Sequence, residues 1–128
     1  MIYSKHFELK EAREVLISVI PVLKKILELK RILDGKDISE EKYFFMGKIG
    51  KNGDGEYPQE MYEITESISS ILKMGIQIKN LDYGLIDFPH LRNTGEEVFL
   101  CYELGETTIE FWHGLSEGYA GRKPVNLL

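Results

Sequence analysis

GIQIKNLDYGLIDFPHLRNTGEEVFLCYELGETTIEFWH, residues 75–113, decides the fold. Residues 76–81, IQIKNL, alternate apolar and polar side chains, the period of a strand with one covered face. DYG at 82–84 then turns the chain. LIDFP at 85–89 reads as a short strand closed by Pro89, and EEVFLCYEL at 96–104 is the clearest strand of all. After the turn GET comes a last strand, TIEFWH, residues 108–113. Short connections between consecutive strands leave no room for parallel crossovers, so the expected sheet is an antiparallel meander.

Working outward toward the N-terminus, the period changes from two to that of a helix. Ala12, Leu16, Val19, Leu23, Ile26 and Leu33 form an apolar seam interrupted by Lys30. Val15, Ile20, Val22, Leu27 and Leu29 widen it beyond a bare coiled-coil stripe. Pro21 lies inside this pattern and predicts a kink near 17–21 rather than two separate helices. Gly35 is the expected stop. Asp37 and Glu40 resemble a capping box opening a short helix to about Ile49, and GKNGDGEYP, residues 50–58, is a loop. Pro58 suits the first turn of a further helix carrying Met61, Ile64, Ile68, Ile71 and Leu72, with Gly75 as its end. The expected class is therefore α+β. A helical hairpin or bundle, one long kinked helix plus two shorter ones, packs on a small antiparallel β-meander. One domain spans 1–128: a helical part at about 5–74, a β part at about 75–113 and an ordered glycine-rich tail at 114–128.

A chain of 128 residues with 43% hydrophobic and 29% charged residues has enough material for its own core. The net charge of −5 disfavours a nucleic-acid face; Lys24, Lys25, Lys30 and Arg31 are the only dense basic cluster. A lone cysteine, Cys101, forms no internal disulfide and suits a reducing, cytoplasmic compartment. The sequence has neither the apolar core of a secretory signal nor a run of about 20 apolar residues for a membrane span. Aligning Gly55 with the glycine of a calcium loop puts Met61 where a glutamate ligand is required, which excludes that reading. There is no GxxxxGKS/T, no GxGxxG after a strand, and no HExxH, CxxC or GxSxG.

Residues with chemistry gather from Lys79 onward. Asp87 lies between Ile86 and Phe88, where an isolated carboxylate is costly to bury. It either accepts backbone N–H groups or an arginine, or serves as a metal ligand or acid–base group. Alternation through the last strand places His113 with Ile109 and Phe111 on the core side and turns Trp112 the other way. His113 is then either a structural histidine or a ligand. His90, after Pro89, is expected in an exposed turn, and His6 on the surface. Arg122, between Gly121 and Pro124, is held to fork onto an anion or to pair internally with Asp87 or Asp82. Cys101 faces away from Val98 and, with no basic neighbour in sequence, reads as structural.

FELKEAREVLISVIPVL at 7–23, GIQIKNLDYGLIDFP at 75–89, VFLCYELGE at 98–106 and IEFWHGLSEGYAGRKP at 109–124 together resemble a family of small prokaryotic proteins, domain of unknown function 2203. The resemblance implies a prokaryotic cytosolic protein and brings no activity with it. The positions matching its blocks are Lys79, Gly84, Asp87, Phe88, Pro89, Cys101, Gly105, Glu106, Trp112, His113, Gly118, Gly121 and Arg122. Glu8 departs from a threonine usual in the family, Asn80 from an aspartate and His90 from a small residue.

Two functions fit these residues. The first is a binding or assembly module that dimerises through the broad apolar face of its first helix, with Asp87, His113 and Arg122 as a structural polar network. The second is a small hydrolase-like enzyme, metal-dependent or not, acting on an anionic small molecule. Asp87 and His113 would be its catalytic groups, and Lys79, Trp112 and Arg122 its ligand-binding groups. The sequence names no cofactor and no metal.

Overall fold

The computed structural model describes residues 1–35 and 58–128. Helix α1 spans Leu9–Gly35 and helix α2 spans Gln59–Lys73. Five strands follow: β1 Gln77–Asn80, β2 Leu85–Leu91, β3 Glu97–Glu103, β4 Phe111–Gly114 and β5 Lys123–Pro124. They form one sheet in the order β1-β2-β3-β4-β5, every neighbouring pair antiparallel. The meander and the α+β class stand as read from the sequence. The fifth strand, contributed by the tail, was not expected. The short helix at 37–49 and the loop at 50–57 lie outside the described residues.

The seam of α1 does what its spacing requires: Ala12, Leu16, Val19, Leu23, Ile26 and Leu33 are all buried. They pack, together with Met61, Ile64 and Ile71 of α2, against Ile86, Phe88, Val98, Leu100, Tyr102 and Trp112 of the sheet. The helix runs through Pro21 without interruption. Lys30 within the seam is buried and paired with Asp82, and Lys25 pairs with Glu63 at 3.7 Å. Three of the four basic residues of this cluster, Lys25, Lys30 and Arg31, are thus paired with carboxylates. Leu72 departs from expectation and lies exposed, because the α2 stripe passes through Ile71. Pro58 sits one residue before the first turn, as the N-cap, and Gly75 closes α2 with φ of 95°.

Pro89 does not close β2; the strand continues to Leu91. Its carbonyl accepts the Phe7 N–H at 2.7 Å, so this residue's polar backbone edge faces the N-terminal segment rather than β3. A missing N–H there removes no bond of the β2–β3 ladder. His90 is accordingly not in a turn. It is buried on the helix side, its Nδ1 2.7 Å from the Phe7 carbonyl oxygen. His6 is half-buried rather than free on the surface, with Nε2 2.9 Å from Glu97.

Glu97 also accepts the Ile2 and Tyr3 N–H groups, both at 2.8 Å. These two bonds, opposed by desolvation and aided by His6, hold its carboxyl down at about 2. The latch brings Tyr3 against Phe99, ring centroids 5.4 Å apart. A depressed carboxyl pKa stabilises the latched state fully above the ordinary carboxylate range, and the contribution is lost as pH falls through about 2. Glu97→Gln is therefore expected to speed hydrogen exchange of the Ile2 and Tyr3 amides at neutral pH. The wild type is expected to lose that protection only on acidification from about 4.5 toward 2. Unchanged exchange in the variant would dismiss the latch. In the core, Leu100→Ala is expected to cost about 2–5 kcal/mol in urea denaturation.

Candidate functional site

Strand alternation sorts the sheet into two faces. Ile86, Phe88, Val98, Leu100 and Trp112 turn toward the helices, so their neighbours Asp87, Phe99, Cys101, Phe111 and His113 turn away from them. The pairing register sets Asp87 directly opposite Cys101, and His113 opposite Phe99 on the next strand. Asp87, Cys101 and His113 thereby converge from three adjacent strands, all buried, with one donor atom from each within 4.8 Å of the others. Among the described residues they are a group able to hold a metal ion.

This placement corrects the expected orientation of β4. Regular strand begins only at Phe111, so alternation does not carry through from Ile109. Ile109 and Trp112 both enter the core, three residues apart, and His113 is left on the other face. Trp112 consequently makes no part of the group around Asp87. Its indole N–H donates to the Pro124 carbonyl at 3.1 Å.

His113 Nε2 lies 3.2 and 3.1 Å from the two oxygens of Asp87, and Nδ1 lies 2.8 Å from the Gly114 carbonyl oxygen. Burial alone would pull the imidazole pKa down. The Asp87 contact, the Gly114 bond and the Asp87 charge outweigh it and raise the pKa, against the opposing charge of Lys79. Desolvation, and then the charge of Asp87, push the Cys101 thiol up to about 12, against the pull of Arg122. Cys101 is therefore a protonated, inert thiol as long as no cation stronger than these neighbours reaches it.

Arg122 takes neither of its expected carboxylate partners. Asp87 is engaged with His113, and Asp82 with Lys30. Arg122 pairs with Glu106 at 2.6 Å, donates to the Cys101 carbonyl at 3.3 Å, and stacks over Phe111 and Tyr119. Glu106 is the partner that sequence reading missed; its place in the Gly105 turn, beside the end of β3, was the available clue. With its side chain only 10% exposed, Arg122 clamps the tail against the sheet.

The tail crosses back over this face. Gly118 adopts φ of 75°, and a Cβ on Gly121 would lie 2.6 Å from that of Glu117. Both glycines are needed for so tight a path. Glu117 accepts the Gly114 N–H at 2.6 Å and pairs with Lys123 at 2.7 Å, which fixes the loop. Between this loop and the β1 edge lies a cleft of about 260 Å³. Residues 115–119 form one wall, Lys79 and Leu85 the other, and Phe99, Asp87 and His113 also line it. Lys79 is exposed, lies 4.5 Å over the Phe99 ring, and has no carboxylate partner among the described residues. Asn80, at the end of β1, instead accepts the Tyr83 N–H at 3.3 Å and contributes nothing to the cleft.

No helix among the described residues is long and apolar enough to cross a membrane. No curated protein and no solved structure is significantly similar to the chain. A family match does extend over residues 5–125, nearly the whole sequence and every residue of the site. The chain belongs to DUF2203, a family described as an uncharacterized conserved protein.

Proposed function

We propose that the protein is a small hydrolytic enzyme acting on an anionic ester in the cleft above Asp87 and His113. The observation that carries this is a buried carboxylate–imidazole pair on the sheet face turned away from the helices, lining a cavity with a solvent-exposed lysine at its rim. A pair whose only work is to hold strands together gains nothing from facing a cavity. Replacing such a pair by apolar groups is often neutral or stabilising.

Among the described residues Lys79 is the one lysine or arginine on the cleft wall, and it would hold the substrate anion. Asp87 and His113 supply the activation of water. Hydrolysis consumes water alone: its oxygen bonds to the carbonyl carbon or phosphorus, the ester bond breaks, and one water proton leaves with the alcohol. A volume of about 260 Å³ is near the low end of small-molecule sites. It admits a compact metabolite rather than a polymer.

Dimerisation through the first helix has less to support it. The apolar seam that motivated it is buried inside the chain, and Ile17 is the main apolar side chain that α1 leaves exposed.

Asp87→Asn is expected to lower kcat by about 10²-fold or more on chromogenic phosphate and carboxylate esters. Circular dichroism should remain that of the wild type. Lys79→Gln is expected to raise KM while leaving kcat nearly unchanged. Absence of turnover across the ester panel, with both variants merely shifted in melting temperature, would overturn the enzymatic reading.

A further inference from the structure

The hydrogen bonds of His113 pose a question of charge. The Gly114 carbonyl oxygen can only accept, so the proton of a neutral His113 sits on Nδ1. Nε2 then presents a lone pair to two carboxylate oxygens at 3.1 and 3.2 Å. Acceptors that face one another at this distance need a cation between them, either a proton or a metal ion. Anchoring Nδ1–H on a backbone carbonyl while Nε2 is offered outward is how metal-binding histidines are commonly oriented.

Cys101 separates the two answers. With a proton joining Asp87 to His113, the Cys101 thiol is only a further donor to the same carboxylate; with a metal ion there, it becomes a ligand. The thiol, directly opposite Asp87 in the ladder, completes a three-ligand set within 4.8 Å. Donor atoms around a tetrahedral zinc ion lie roughly 3.3–3.6 Å apart, so the set brackets that geometry and closes onto an ion by small rotations. Calcium and magnesium take oxygen ligands. One nitrogen, one sulfur and one oxygen select a borderline ion of the zinc class. Asp87 and His113 line the cleft and Cys101 does not, so the side left without a protein ligand faces the substrate space.

We propose that Asp87, Cys101 and His113 are the three protein ligands of a Zn²⁺ ion whose fourth position opens into the cleft. The inference rests on the hydrolytic reading and names the agent that activates the water. Carboxylate and thiolate together balance the charge of the ion, and binding displaces the thiol proton. Three protein ligands with one open position is the arrangement of catalytic rather than structural zinc, and it brings the bound water to a pKa near 7.

The test uses the full chain after treatment with a chelator, titrated with Zn²⁺ and, as a spectroscopic stand-in, Co²⁺. One equivalent of either ion is expected to bind and raise the melting temperature. Co²⁺ is expected to give intense tetrahedral d–d bands and a near-ultraviolet thiolate charge-transfer band. Cys101→Ser should lose that charge-transfer band, while Asp87→Asn should keep it and bind the ion at least tenfold more weakly. Failure of the folded wild type to bind stoichiometric metal, or cobalt spectra without the thiolate band, would overturn the site. Hydrolysis by metal-free protein would leave the enzyme standing and remove the zinc. Stoichiometric zinc with no hydrolysis of any ester would keep the metal centre and remove the hydrolytic reading.

Discussion

The ladder between β2 and β3 is the constraint from which the rest follows. Its register runs from Leu85↔Glu103 to Leu91↔Glu97 without a bulge. That one alignment puts Ile86, Phe88, Val98, Leu100 and Tyr102 under the helices, and in the same stroke sets Asp87 beside Cys101 on the other side. A slip of one residue would turn one strand over against the other, driving either Asp87 or Cys101 into the core and exposing that strand's apolar residues. Core and site are therefore placed by one set of hydrogen bonds.

The two faces are covered in different ways. Helices α1 and α2 bury one with a thick apolar layer. Short pieces of chain cover parts of the other: Tyr3, drawn onto Phe99 by the Glu97 latch, and Tyr119 with Arg122, held over Phe111 by the Glu106 pair. A covering built from polar clamps leaves a cleft where two apolar layers would have fused. Buried polar groups beside such a cleft are far more sensitive to a bound cation or anion than the same groups in water.

Much of this was legible in the residues. Alternation in 76–81 and 96–104, with the short turns between strands, gave the meander, and helical spacing gave both described helices and most of their buried residues. Asp87 stood out because a carboxylate among apolar residues needs a partner, and His113 because it ended the last strand. The orientation of His113 was misread because Ile109 belongs to the connection rather than to β4. Period-two reasoning fails wherever the strand boundary is off by a residue or two. Cys101 was set aside for want of a basic neighbour in sequence, although the alternation that placed it opposite Val98 also placed Asp87 opposite Phe88. Applying one rule to both strands would have put them on the same face.

What the sequence determined by itself is the class of each segment and which side of each strand is apolar, because these depend on neighbours two to four residues away. Only the tertiary structure decided the partners: His113 with Asp87, Arg122 with Glu106, Lys30 with Asp82, and the N-terminal amides with Glu97. Their separations of 26, 16, 52 and 95 residues are set by strand register and by the path of the tail. Charge alone makes many such pairs equally acceptable. The packing of one sheet between two helices and a folded-back tail selects among them.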